Sequence, residues 1–169
     1  MKRADTIPYK IFDLTLLLQA VTRWKFLGKS ISFTNGCFDL LHKGHLASLS
    51  EAASEADILI VGVNSDASTK RLKGNNRPVN NEESRALMLA SLAIVDAVVI
   101  FEEDTPLNII KAIKPNVIVK GGDYTIDQIE GAKEVIADGG RVVINPIVQG
   151  FSSTGIIEKI NNNQNPIVF

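Results

Sequence analysis

Short runs of β-branched and other apolar residues alternate along the chain with segments whose apolar positions recur at helical spacing. The runs predict five strands, at residues 31–33, 58–63, 97–101, 117–119 and 142–144. Helices are predicted at residues 14–27, 43–56, 82–93, 106–114 and 128–138. Strands that alternate with helices are joined by right-handed crossovers, which produce a parallel sheet covered on both faces. The sequence therefore predicts an α/β protein, a Rossmann-like doubly wound domain with a five-stranded parallel sheet.

The length and composition fit one domain with its own hydrophobic core, because the chain has 169 residues of which 45% are hydrophobic. We expect residues 1–28 to form an N-terminal helical segment packed on the domain, which itself spans residues 29–169. The helix at 14–27 carries enough apolar residues either to pack on its own domain or to form a homodimer contact.

Charge and cysteine content restrict the partners and the compartment. The formal net charge of −1 gives the molecule as a whole no electrostatic reason to bind nucleic acid or anionic lipid. No run approaches the roughly 20 apolar residues that span a bilayer, so we expect no membrane partner. Cys37 is the single cysteine, which excludes an intrachain disulfide and fits a reducing compartment. The predicted location is the cytoplasm.

Both histidines of the chain follow the first predicted strand, in the segment that runs from Asn35 to His45. His42 and His45 are three residues apart at a predicted helix start, so both imidazoles can project to one side while the first backbone N–H groups face an anion. Gly44 lies between them and leaves room for a phosphate to approach. Because ligands of such sheets bind beyond the carboxyl ends of the strands, this segment predicts a phosphate site with two titratable donors.

Two other chemistries use the same residues. A zinc site is conceivable from the ligand types of Cys37, Asp39, His42 and His45, but their spacing follows no common zinc pattern. Hydrolysis by Cys37 with a histidine base is the second alternative, and the sequence identifies no partner that would orient the base. Both are weaker than the phosphate site.

The His-x-Gly-His pattern within Asn35–His45 resembles the signature of the cytidylyltransferase-like nucleotidyltransferase superfamily. Five further segments together resemble the adenylyltransferase domain of bacterial ADP-heptose synthases: 61–66, 71–74, 77–79, 119–124 and 150–154. The resemblance covers about residue 30 to residue 160 and implies that residues 29–169 form a nucleotidyltransferase domain.

The resemblance implies an enzyme that transfers AMP from ATP to D-glycero-β-D-manno-heptose 1-phosphate and releases ADP-heptose and pyrophosphate. ATP and a sugar 1-phosphate would be its partners, and Mg²⁺ would accompany ATP as the cofactor, with no direct metal ligands assigned. The alternatives are an enzyme like glycerol-3-phosphate cytidylyltransferase and a non-catalytic nucleotide-binding module. Residues 147–150 read Ile-Val-Gln-Gly where several cytidylyltransferases carry Arg-Thr-Glu-Gly, which is compatible with ATP.

The resemblance also implies roles for individual residues. The catalytic residues would be His42 and His45. Nucleotide binding would fall to residues of the first loop, the basic segment after the second strand and the hydroxyl-rich start of the last helix: Asn35, Gly36, Cys37, Phe38, Gly44, Lys73, Ser152, Ser153 and Thr154. The sugar phosphate would contact Arg77, Lys120 and Asp123. Ser152 is also predicted to cap that last helix.

Overall fold

A computed structural model describes residues 4–122, 124–146 and 150–162. In these residues, parallel strands form one sheet. The strands are β1 (Ile11–Phe12), β2 (Ile31–Gly36), β3 (Ile58–Asn64), β4 (Ala97–Phe101), β5 (Val117–Gly121) and β6 (Arg141–Asn145). Their order in the sheet is β1-β4-β3-β2-β5-β6, and every pair is parallel. The predicted parallel α/β architecture is confirmed.

The predicted count of five strands is wrong, because the sheet of the described residues has six. The additional strand, β1, pairs with the edge strand β4 through Ile11 opposite Val98 and Phe12 opposite Val99. It is two residues long and lies between Lys10 and Asp13. A run of that length has no detectable period, so the sequence pattern could not reveal it.

The helices are α1 (Leu14–Phe26), α2 (Lys43–Ser54), α3 (Asp66–Lys73), α4 (Glu82–Ala90), α5 (Leu107–Ile113), α6 (Ala132–Ala137) and α7 (Ser153–Asn162). Two 3₁₀ helices, Ala4–Lys10 and Ile126–Gln128, complete the regular structure of the described residues. Among the described helices, none is both long enough and apolar enough to span a bilayer.

Helix α3 was not predicted, because its eight residues are mostly polar and show no apolar period. Local hydrogen bonding and charge explain why it forms. Ser65 caps it by accepting a hydrogen bond from the Ser68 N–H. Asp66 occupies the first turn and basic residues occupy the last turn, which is the arrangement that the helix dipole favours.

Helices cover both faces of the sheet. On one face, Leu17 and Val21 of α1 pack in a buried cluster with Phe33 and Ile60. On the other face, Leu49 of α2 and Leu89 of α4 belong to a buried cluster with Leu59 and Val61. Because neighbouring residues of β3 enter opposite clusters, the strand is buried on both sides, as expected for a parallel sheet.

The strand order reverses beside β2, and this reversal locates the ligand side of the molecule. The chain moves from β2 to β3 and β4 in one direction and then returns to place β5 and β6 on the other side of β2. At such a switch point the loops after the two central strands turn away from each other and leave a crevice. The loops that follow Gly36 of β2 and Gly121 of β5 lie at this crevice.

Candidate active site

An open pocket of about 710 Å³ lies at the carboxyl ends of the strands. Its lining includes every predicted site residue that the structure describes, namely Asn35, Gly36, Cys37, Phe38, His42, Gly44, His45, Lys73, Arg77, Lys120, Ser152, Ser153 and Thr154. The predicted residue Asp123 lies outside the described residues. Segments that are distant in the sequence therefore meet around one cavity.

The two histidines form a stacked pair at the start of α2. Their ring centroids are 3.8 Å apart with an interplanar angle of 18°. His42 is the N-cap of α2, and its Nδ1 accepts a long hydrogen bond of 3.4 Å from the His45 N–H. The ring of Phe38 lies against His45 with a centroid separation of 5.3 Å. The capping bond and the stacking fix both imidazoles on one side of the helix start.

Both imidazoles are neutral at neutral pH. Burial lowers the pKa of His42, and burial together with the neighbouring His42 lowers the pKa of His45 to about 4. Because Nδ1 of His42 is the hydrogen-bond acceptor of the cap, the proton of this neutral ring is on Nε2. His42 therefore presents one N–H donor beyond the helix cap.

Gly44 makes room for the His42 ring. A Cβ at this position would lie 3.1 Å from Cε1 and Nδ1 of His42, closer than most contacts of real Cβ atoms. The sequence hypothesis assigned this space to an approaching phosphate. The structure shows that the imidazole of His42 borders this space.

The start of α7 is held against the loop before α2. Ser152 accepts a hydrogen bond of 3.0 Å from the Gly155 N–H, which confirms its predicted capping role. Ser153 Oγ donates to the Leu40 carbonyl over 3.1 Å. Two helix N-termini thus meet at the pocket, and each contributes N–H groups and the positive end of a helix dipole. Their convergence favours a ligand with several negative charges.

Lys120 joins the two central strands across the switch point. Its Nζ donates to the side-chain Oδ1 of Asn35 over 2.9 Å and to the Asn35 carbonyl over 3.3 Å. Burial lowers the pKa of Lys120. Asn35 is neutral, so these two bonds orient the ammonium group without neutralising it. The pocket therefore contains a positioned cation between β2 and β5.

Three of the four basic residues of the segment after β3 lie on a helix. Lys70, Arg71 and Lys73 lie on the last turn of α3. Arg71 is paired with Asp104 at 2.7 Å and with the Glu102 carbonyl. Lys73 lies at the end of α3 and lines the pocket, as does Arg77 in the irregular segment that follows.

Asp39 fixes that irregular segment, a role that sequence reasoning missed. Its carboxylate accepts hydrogen bonds from Arg77 Nε at 2.6 Å, from the Val79 N–H at 2.8 Å and from the Asn80 N–H at 3.0 Å. Burial alone would raise the pKa of Asp39, but the N–H groups of Asn80, Val79 and Arg77 outweigh it and lower the pKa. These three donors occupy a carboxylate that the zinc alternative would need as a ligand.

Arg85 is a second residue that sequence reasoning missed. It lies on α4 with no exposed surface and donates hydrogen bonds to loops that border the pocket. The available signal was a charged residue at a position that the helical period assigns to the buried face of α4, beside Ala86 and Leu89.

The pocket places paired histidines, two helix N-termini and a positioned lysine at the switch point of a parallel sheet, which is where α/β proteins bind nucleotides. Residues 33–159 match the family model described as cytidylyltransferase-like. The chain belongs to this cytidylyltransferase-like family, and it is a nucleotidyltransferase.

Curated relatives extend the match beyond the family model. The chain is 54% identical over 154 residues to the bifunctional protein HldE of Paramagnetospirillum magneticum, which covers 91% of this chain and 32% of that protein. It is 55% identical over 141 residues to the bifunctional protein HldE of Nitrobacter winogradskyi, which covers 83% of this chain and 29% of that protein. The chain thus spans about a third of the length of these relatives.

Solved structures agree with the fold. The lipopolysaccharide core biosynthesis protein of Thermoplasma volcanium is 32% identical, with a TM-score of 0.58 over 71% of this chain and 97% of that one. The pantoate-beta-alanine ligase of Francisella tularensis is 18% identical, with a TM-score of 0.59 over 90% of this chain and 76% of that one. The second likeness concerns the fold alone.

Proposed function

We propose that the enzyme transfers AMP from ATP to D-glycero-β-D-manno-heptose 1-phosphate and releases ADP-heptose and pyrophosphate. The observation that carries the proposal is the stacked pair of His42 and His45 where the starts of α2 and α7 meet. The heptose acceptor is supported by the likeness to ADP-heptose synthases and by identities above 50% to the HldE proteins.

The proposed reaction needs alignment and charge relief, and no general base. The attacking oxygen belongs to the acceptor phosphate and is already anionic. It forms a bond to the α-phosphorus of ATP, and the bond from that phosphorus to the bridging oxygen breaks with its electron pair on the leaving pyrophosphate. Donors that strengthen as charge moves onto the leaving group accelerate this step. The neutral His42, with its proton on Nε2, is suited to that role.

The remaining residue roles are proposed from the family resemblance and are compatible with the pocket lining. The triphosphate would lie at the starts of α2 and α7, where Ser153 and Thr154 line the pocket. Lys73 and Arg77, which also line the pocket, would contact phosphate groups. Lys120 would attract the acceptor phosphate beside the switch point. The contact of Asp123 with the same acceptor phosphate stays a prediction.

Magnesium is proposed to enter with the nucleotide. Within the described ranges, no group of three or more His, Cys, Asp or Glu side chains is placed to hold a metal ion. Mg²⁺ prefers to keep several waters and to bind substrate phosphates through few protein ligands. We therefore propose that the substrate is the magnesium complex of ATP, in which the triphosphate carries the ion.

Pyrophosphate release by the purified chain, with two nucleotides and two acceptors, tests the proposal. ATP and CTP are each combined with heptose 1-phosphate and with glycerol 3-phosphate. The proposal predicts that ATP with heptose 1-phosphate gives the highest kcat/KM. The highest value for CTP with glycerol 3-phosphate would replace the substrate assignment, and release from no combination would overturn the proposed reaction.

His42→Asn separates the proposed donor role from the capping role. Asparagine is among the best N-cap residues, so α2 should keep its cap, but its shorter side chain cannot place an N–H at the position of Nε2. Removal of one transition-state donor costs on the order of 10²-fold in turnover. We expect a loss of that size with an ATP dissociation constant within threefold of wild type. Unchanged turnover would contradict the role.

A further inference from the structure

Arg85 makes four hydrogen bonds from a fully buried position on α4. Its Nε donates to the Asn80 carbonyl over 3.0 Å. Its Nη1 donates to the Cys37 carbonyl over 2.6 Å and to the Asn64 carbonyl over 2.8 Å. Its Nη2 donates to Asp66 Oδ1 over 2.8 Å. One planar guanidinium therefore bonds to four separate residues in fixed directions.

These four acceptors belong to different segments that surround the pocket. Cys37 is in the loop between β2 and α2 that leads to His42. Asn64 is the last residue of β3, and Asp66 is the first residue of α3, the helix that carries Lys73. The fourth acceptor, Asn80, lies near the end of the irregular segment that contains Arg77. Arg85 thus connects this loop, the histidine loop (residues 37–42), with α3 and with the segment of Arg77.

Burial alone does not explain an arginine at this position. Its one charged partner, Asp66, has a side chain that is 34% exposed, whereas the guanidinium is fully buried. A protein in which well-packed apolar side chains replace a buried ion pair is commonly as stable as the original or more stable. Ala86 and Leu89 of the same helix are apolar and equally buried. The advantage of arginine is the rigid fork, which a lysine or an apolar residue cannot reproduce.

Asp39 provides a second connection between the same segments. It lies in the histidine loop and accepts hydrogen bonds from Arg77 and from the Val79 and Asn80 N–H groups. The Asn80 side chain returns a bond of 2.8 Å to the Asp39 carbonyl. Asn80 is therefore held by Arg85 through its carbonyl and by Asp39 through its N–H and its side chain.

We propose that Arg85 is a positioning residue that keeps the histidine loop in register with α3 and the segment of Arg77. This inference rests on the proposed transfer reaction, because the histidine loop on one side, and α3 with the segment of Arg77 on the other, are each proposed to hold phosphate groups. Loss of the fork lets the segments shift relative to each other. Each substrate still binds its own segment, but the attacking oxygen and the α-phosphorus lose their alignment, which lowers turnover more than binding.

Arg85→Lys tests the proposal, because lysine keeps the charge and replaces the fork with a single ammonium group. We expect turnover to fall at least tenfold while the ATP dissociation constant stays within threefold of wild type. The amide protons of Val79 and Asn80 should exchange with solvent at least tenfold faster. The control is Leu17→Ala, a destabilising change on the opposite face of the sheet. Assays are run at a temperature where all variants are folded.

If Arg85→Lys does not fold, Asp66→Asn serves as the second test. It weakens one hydrogen-bond partner of Arg85 at a partly exposed position. Its turnover should fall several-fold at constant ATP affinity. Turnover and amide exchange that match the Leu17→Ala control in the folded variants would overturn the positioning role. Absence of transfer by the wild type would instead overturn the proposed function, and faster exchange of Val79 and Asn80 in the variants would still support the positioning role.

Discussion

Gly44→Ala perturbs the His42 ring without removing any atom of the pocket. An added Cβ would lie 3.1 Å from Cε1 and Nδ1 of His42, so the imidazole must move by a few tenths of an ångström. That movement disturbs the stacking on His45 and the 3.4 Å capping bond. The variant therefore changes the position of the proposed donor directly.

Stability and turnover are expected to respond in different ways. Alanine in a helix is about 0.5–1 kcal/mol more stable than glycine, which offsets the cost of the moved ring. The free energy of unfolding should change by less than about 1 kcal/mol. A displacement of reacting groups by about 1 Å can lower a rate on the order of 10²-fold. The smaller shift here should lower turnover roughly tenfold.

The assay combines denaturant unfolding with pyrophosphate release. Ser50→Ala is the matched control, because it also raises helix propensity in α2 but lies on the exposed face of that helix. The control should keep wild-type turnover. Gly44→Ala with turnover within twofold of wild type would refute the reasoning that the glycine is required by the His42 ring.

Three further perturbations test the account. Burial lowers the pKa of His45 to about 4, whereas the pKa of this side chain in the unfolded chain is about 6.5. Between these two pH values the unfolded chain binds a proton that the folded protein does not, so the free energy of unfolding should fall as the pH drops from 6.5 to 4. His45→Gln should flatten this decline in urea titrations at pH 7 and pH 4.5, and an unchanged slope would argue against a buried neutral ring. Lys73→Ala should raise the KM of at least one substrate, more strongly at low salt, whereas Lys70→Ala on the same helix should not. Lys10→Met removes donors to two carbonyls in the turn after α4 and should cost about 1–2 kcal/mol of unfolding free energy at constant turnover; a loss of turnover would show that the N-terminal segment affects the pocket.

The elements with a strong period were predictable from the sequence, and the long-range contacts were not. The buried strands and amphipathic helices follow from apolar spacing, and the histidine pair follows from its place after β2. Helix α3 escaped because capping by Ser65 and end charges stabilise it in the absence of an apolar stripe. Asn80 and Glu83 have the sequence spacing of a capping box for α4, but this box does not form, because Asn80 bonds to Asp39 and Asn81 caps α4 instead.

The contacts of Asp39 and Arg85 show the same limit. Asp39 meets the Arg77 segment 38 residues further along the chain, and Arg85 reaches back 48 residues to the Cys37 carbonyl. A local pattern contains no information on such pairings, because they depend on how the strands are ordered in the sheet. The sequence could therefore identify which residues border the pocket, but not which residues hold them in place.

In the proposed reaction, an oxygen of the acceptor phosphate attacks the α-phosphorus of ATP. The most direct test uses heptose 1-phosphate labelled with ¹⁸O in its phosphate and follows the products by ³¹P nuclear magnetic resonance. We expect unlabelled pyrophosphate and a nucleotide-sugar that retains all of the label, including the oxygen that bridges its two phosphorus atoms. Label in the pyrophosphate, or formation of free ADP instead of pyrophosphate, would contradict the claim.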